Sequence, residues 1–258
     1  MNTKTLSNRA LSVIDQYNHF TVGTSVCRVP YYNNKVARSR GTLRTYVGKG
    51  SPKDIFEEVD SIMNKSHFPV EQLADETLKK ILVDHNIGID CSGFAYYVLN
   101  AECLESNKGS IDKHLKFVNC SGIISKIRCS LRPAENCDVA TFADDRNSRL
   151  VTLGEVTPGD MITMTGDNDD SERDHILVIH QIDYQNFFPT KIHYSHSVAY
   201  PEDGVSNTGV RQGSIEILDP QKGFLEARWI EDGKEGPTNR LFIRAQKSKT
   251  ELRRLKWL

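Results

Sequence analysis

Two patterns divide this 258-residue chain, and the order in which they come constrains its fold more than any other feature. Up to Ala101 the apolar residues recur at helical spacing, the period of a helix with one buried face. From Gly159 onward they come in short runs and alternations bounded by turn residues, which is how strands read. Helices first and strands afterward predict an α+β fold, with helices packed against an antiparallel β-sheet.

The helical half resolves into segments. Ala10, Leu11, Val13, Ile14 and Tyr17 predict an N-terminal helix, and the Asn-, Arg-, Gly- and Tyr-rich stretch that follows reads as an extended arm. Residues 1–50 are therefore set apart from a main domain over 51–258. That domain opens with Ser51-Pro52-Lys53-Asp54: a Ser cap, Pro at the first helical position and an acid at the third. Ile55, Phe56, Val59, Ile62 and Met63 line one face of this helix. Leu78, Ile81 and Leu82 mark another, ending near Asn86-Ile87-Gly88, where Gly88 is expected to take the left-handed cap. Phe94, Tyr97, Val98 and Ala101 mark a third, with Asp90 as its cap. Residues 104–149 are polar, carry three cysteines and read as a mixed insertion. Strands are expected at Met161–Met164, Ile176–Ile179, Ile192–Val198, Ile215–Leu218, Leu225–Ile230 and Leu241–Ile243.

Thirty-three Lys and Arg against 34 Asp and Glu leave a net charge of −1. No overall field exists to draw in nucleic acid or an anionic membrane. The basic runs Lys35–Arg44 and Lys247–Lys256 read as solvated surface or a frayed terminus. No stretch approaches the ~18 apolar residues of a membrane span. Residues 1–20 lack the apolar core of a secretory leader, so the chain as written is expected in the cytoplasm, or secreted or at the cell wall if a leader was removed. The six cysteines, Cys27, Cys91, Cys103, Cys120, Cys129 and Cys137, show neither zinc nor redox spacing. A chain this long does not need staples, so reduced thiols are expected.

One of these thiols has a distinctive setting. Cys91 follows the turn Gly88-Ile89-Asp90 and occupies the first turn of its helix. A thiol attacks as the thiolate, and a helix N-terminus contributes roughly +0.5 charge that favours that form. A neighbouring imidazole completes the activation. The first amides of the helix, that of Cys91 among them, have no intrahelical acceptor and are free to hold an oxyanion. Gly93 admits a close neighbour and leaves the sulfur approachable.

Asp90-Cys91-Ser92-Gly93-Phe94 resembles the nucleophile motif of the NlpC-type family of papain-like bacterial cell-wall peptidases. Pro158-Gly159-Asp160-Met161-Ile162 resembles the turn that precedes the family's catalytic His strand. Asp174-His175-Ile176-Leu177-Val178-Ile179 stands in the His position, and Ile192-His193-Tyr194-Ser195-His196-Ser197 in that of the third polar residue. The resemblance spans roughly residues 86–200, with gaps. It implies a papain-like core, Cys91 as nucleophile, His175 as base, and Ser92 and Asp174 beside the substrate. A tyrosine hydroxyl also serves in that family, for which Tyr31 and Tyr32 of the arm are the candidates. The long Cys-to-His interval and the segments before Gly50 and after Tyr200 depart from the pattern.

Strand alternation sorts the histidines. His175 and His180 point to opposite faces, and His180 is expected at the solvent or an edge. His193 and His196 also oppose each other. A hairpin turning between Tyr184 and Phe188 sets residues 196–198 against His175, which favours His196 as the orienting residue. The acidic loop of Asp167, Asp169, Asp170, Glu172 and Asp174 lacks the Gly and the final Glu of a calcium loop and reads as a solvated rim. No metal or cofactor is expected.

The expected function is hydrolysis of an amide bond through a thioester, on a muropeptide or other short peptide. Two alternatives remain: an acyltransferase or transglutaminase-like enzyme on the same scaffold, and a non-catalytic binding module.

Overall fold

A computed structural model describes residues 2–37, 43–70, 73–166, 174–204 and 206–258. Its strands are β1 (Asn2–Thr5), β2 (Phe20–Val22), β3 (Ser25–Cys27), β4 (Ser148–Leu150), β5 (Met161–Thr165), β6 (His175–Gln185), β7 (Phe188–Val198), β8 (Gly209–Glu216), β9 (Arg228–Glu231), β10 (Lys234–Glu235) and β11 (Lys249–Leu255). Its helices are α1 (Asn8–Asn18), α2 (Asn34–Ala37), α3 (Pro52–Ser66), α4 (Asp75–Asp84), α5 (Cys91–Glu105), α6 (Ile123–Leu131), α7 (Pro133–Asn136), α8 (Val139–Ala143) and α9 (Arg240–Lys247). The fold is α+β. No helix among the described residues is long and apolar enough to cross a membrane.

The main sheet runs β10-β9-β8-β7-β6-β5-β11-β4, with β1 also on β6, and its paired strands are antiparallel. β5 covers residues 175–178 of β6, and β1 covers 181–184 farther along the same side. Central strands are buried on both faces, which explains the unbroken apolar run Ile176–Ile179. Ile176 and Val178 pack into a core with α1, α3, α4 and α5, whereas Leu177 and Ile179 join a second core with Trp229 and α9.

The helix starts follow from local chemistry. Ser51 and Asp54 form a reciprocal capping box on α3. Asp90 accepts the Gly93 amide at 2.6 Å and caps α5. At the end of α4 it is Asn86, at φ 58°, that takes the left-handed conformation expected of Gly88. Gly88 serves close approach instead, since a Cβ there would sit 2.4 Å from the Pro30 carbonyl oxygen.

Residues 1–50 are not a separate arm. β1 is part of the main sheet, and Val29 is wholly buried in the helical core. The Tyr17 and Tyr97 hydroxyls donate to the carbonyls of Gly50 and Lys49, at 2.8 and 2.7 Å. The polar composition that suggested an arm reflects backbone hydrogen bonding by a chain threaded between elements.

Two C-terminal expectations are also corrected. Leu241-Phe242-Ile243 is not a strand but the first turn of α9, capped by Asn239, with Leu241 and Ala245 buried. A short apolar triplet fits either period. The basic tail is not frayed: it forms β11, between β5 and β4. Arg253 is only 2% exposed, and its guanidinium is held by Ser148, Asp145 and Glu251. Arg254 pairs with Asp160 at 2.6 Å. Buried arginines with paired forks read as surface charge in a sequence.

The 104–149 insertion is helical where it is regular up to Ala143, and Cys120 and Cys129 are joined in a disulfide. This departs from the expectation of reduced thiols. Cys120 lies in the irregular segment just before α6 and Cys129 on the buried side of α6, a juxtaposition that spacing rules for metals do not test.

Candidate active site

Residues 86–93 are pinned from both sides. The Gly48 carbonyl accepts the Asp90 amide at 2.9 Å, and Pro30 accepts that of Ile89 at 3.0 Å. Ser197 on β7 donates to the Ile89 carbonyl at 2.7 Å. Gly93 is where Gly48 passes, since a Cβ there would lie 2.8 Å from the Gly48 oxygen. Cys91 is therefore the first residue of α5. Its amide and that of Ser92 precede the first intrahelical bond, which runs from Phe94 to the Asp90 carbonyl at 3.0 Å.

The Cys91 sulfur meets the start of β6. It lies 3.9 Å from the Asp174 carbonyl oxygen, and the nearby Ile176 amide favours its thiolate. The sulfur thus sits beside the backbone that leads into His175. The His175 Nε2 is 2.7 Å from His196 Nδ1, and the two rings meet edge to face. His196 Nε2 in turn lies 2.6 Å from Glu231 Oε2 on β9, and the Tyr200 hydroxyl donates to Glu231 Oε1 at 2.9 Å. All three side chains of the His175–His196–Glu231 chain are buried.

Register explains which histidines meet. Val178 stands opposite Ser195, which carries the β6–β7 pairing toward residue 198 opposite His175. His196 thus lies diagonally across from His175 on the same face, the one bearing Leu177 and Tyr194. His193 points the other way and bonds Asp183 at 2.9 Å. His180 is not at an edge: it sits half-buried at a bulge of β6 and shares a 3.0 Å hydrogen bond with Ser195. Burial there lowers its pKa to about 4.

Beside Cys91 lies a buried lysine that no sequence pattern flagged. Lys49 Nζ donates to Asp90 Oδ1 at 2.8 Å, Ser92 Oγ at 2.6 Å and the Cys137 carbonyl at 2.9 Å. The Ser92 hydroxyl is thereby held in the wall of a cleft of about 350 Å³, where it braces the turn instead of offering a free group. Asp174 lines the same cleft and is exposed. The insertion supplies another wall through Asn119, Arg128, Arg132 and Glu135. Asp167, Asp169, Asp170 and Glu172 lie outside the described residues, as does the middle of the 35–44 basic run.

Because Lys49 and Asp90 are buried as a pair, removing one strands the other. Lys49→Met is expected to lower the unfolding free energy by about 3–5 kcal/mol. Urea unfolding followed by circular dichroism measures it, and a change within experimental scatter would show that the pair does not brace this turn.

Tyr31, in the segment that leads into α2, bridges to Ile89. Burial, then Cys91 and Asp90, hold its phenol well above the ordinary range. Arg244 of α9 acts electrostatically on Tyr31, Cys91 and His175 together. No local pattern flags Lys49, Glu231 or Arg244, since each reaches the site from a different part of the chain.

The electrostatics correct one expectation. Burial pushes the Cys91 thiol up to about 11, and Asp90 adds to this against the pull of Lys49, Arg244 and the Ile176 amide. The favourable helix terminus is outweighed by desolvation of the thiolate. Burial, then Arg244 and His196, also holds His175 well below its ordinary value, so the pair rests neutral. Alkylation of Cys91 by iodoacetamide is accordingly expected to be slow at pH 6 and to rise about tenfold per pH unit toward pH 11. Peptide mapping after timed labelling checks this, and a rate that levels off below pH 8 would contradict a thiol held neutral by burial.

Comparison with family models, with curated proteins and with solved structures finds no match to this chain.

Proposed function

We propose that this chain is a cysteine hydrolase with a papain-like, NlpC-type active site, cleaving an amide bond through a thioester. The observation that carries this reading is the buried chain His175–His196–Glu231, which begins at the residue whose flanking backbone touches the Cys91 sulfur.

That chain fixes proton positions. Burial opposes ionisation of Glu231, but His196, Tyr200 and Arg211 prevail and keep its pKa below the ordinary value. A carboxylate only accepts, so His196 Nε2 carries the hydrogen and Nδ1 is the acceptor. His175 must then donate through Nε2, which leaves its Nδ1 bare. Nδ1 takes the thiol proton as sulfur attacks the substrate carbonyl carbon. The amides of Cys91 and Ser92 receive the oxyanion. The C–N bond breaks as the imidazolium returns the proton to the leaving amine. Water then attacks the thioester, giving its proton to His175 and releasing the acid and the thiol. Positive charge on His175 during each step is stabilised through His196 by Glu231.

The proposed substrate is a short peptide of the peptidoglycan-stem type, a reading that rests on the motif resemblance. Incubation with a panel of muropeptides and ordinary peptides, read by mass spectrometry, tests it. Cleavage of a muropeptide amide is the expected result. Products that form only when an amine is added would replace hydrolysis by acyl transfer, and intact substrates throughout would overturn the proposal.

A further inference from the structure

We propose that α6 is an interfacial helix that seats the protein on an anionic lipid surface. Its large aliphatic residues face outward: Ile123 is 80% exposed, Ile124 85%, Ile127 56% and Leu131 72%. At 3.6 residues per turn these four side chains fall within an arc of about 100°. Lys126 and Arg128 flank that arc, one on each side. Cys129 points the opposite way, where it is buried and joined to Cys120. The helix is therefore anchored by its back, with its apolar stripe turned to the outside.

The charge pattern selects the occupant. α6 itself carries Lys126 and Arg128 and no acidic residue, while Arg132 just after it is paired with Glu135 at 3.3 Å. A second copy docked by this face across a two-fold axis would set like charges against one another. A lipid surface takes the aliphatic stripe among its acyl chains while Lys126 and Arg128 extend to the headgroups. Negative headgroups suit these cations, each of which favours the bound state near an anionic surface. The net charge of −1 gives no long-range attraction, so the contact depends on this local cluster. Arg128 also lines the cleft that Ser92 and Asp174 share, so a seated α6 brings that cleft close to the lipid surface.

Co-sedimentation of the full chain with phosphatidylcholine vesicles, with and without about 30% phosphatidylglycerol, tests the proposal. Partitioning is expected to be at least about tenfold stronger on the anionic vesicles and to weaken in high salt. Paired Ile123→Ser and Ile124→Ser substitutions should reduce binding about tenfold or more with an unchanged circular dichroism spectrum. Paired Lys126→Gln and Arg128→Gln substitutions should remove most of the preference for anionic vesicles. Equal partitioning to both vesicle types, or full binding by the serine variant, overturns the proposal. So does a dimer in sedimentation equilibrium that the serine substitutions abolish, which would assign the stripe to a second copy.

Discussion

Cys91→Ala is expected to lower kcat by at least about 10⁴-fold while leaving the protein folded. The sulfur is the only atom of this side chain that the proposed chemistry uses, and alanine keeps the helical backbone and the Asp90 cap. The lost volume is small. The thiol is 6% exposed and belongs to the helical core, so a modest drop in thermal midpoint is the structural effect to expect. Cys91→Ser should be nearly as inactive, because a hydroxyl is far harder to ionise than a thiol and the site offers only a neutral imidazole to help. Turnover of the best substrate from the peptide panel, measured beside thermal unfolding, decides the matter. A folded alanine variant with wild-type activity would remove Cys91 from the mechanism.

Glu231→Gln should lower kcat between about 10²- and 10⁴-fold, with KM little changed. The substitution keeps size and packing but removes the charge that balances the imidazolium. An amide is also able to donate to His196 Nε2, which would reverse both imidazole tautomers and place the hydrogen on His175 Nδ1, where the base is needed. ¹⁵N NMR of the histidine rings reads this directly and does not depend on turnover. In the wild type at neutral pH, Nε2 of His175 should be protonated and Nδ1 bare, with the reverse appearing in the variant. If the wild-type tautomers prove opposite, the assignment of Glu231 as the positioning residue fails even if Cys91 is the nucleophile. If the tautomers are as stated but no peptide is cleaved, the substrate reading fails and the proton relay stands.

Much of the helical half was legible because its signals are local. The Ser51 capping box, the Asp90 cap and the spacing of Ile55, Val59 and Met63 act within a turn or two of chain, and they appear as expected in α3 and α5. His196 was reachable by counting faces across one hairpin, the β6–β7 pair. The limit appears where sequence signals are ambiguous or burial is collective. Leu241-Phe242-Ile243 fits both periods, and only its packing beneath the sheet settles α9. The charges of β11 resemble surface until Asp160, Asp145 and Ser148 are brought against them.

What the sequence determined by itself was the order of helices and strands, the caps that start α3 and α5, and the pairing face that joins His175 to His196. These depend on neighbours a few residues away or directly across a tight turn. Tertiary structure alone decided that Cys91 rests as a neutral thiol, that Lys49 lies beneath it and that Glu231 ends the histidine chain. Desolvation and charge pairing depend on what surrounds an atom in space, and those surroundings come from segments far apart in the chain.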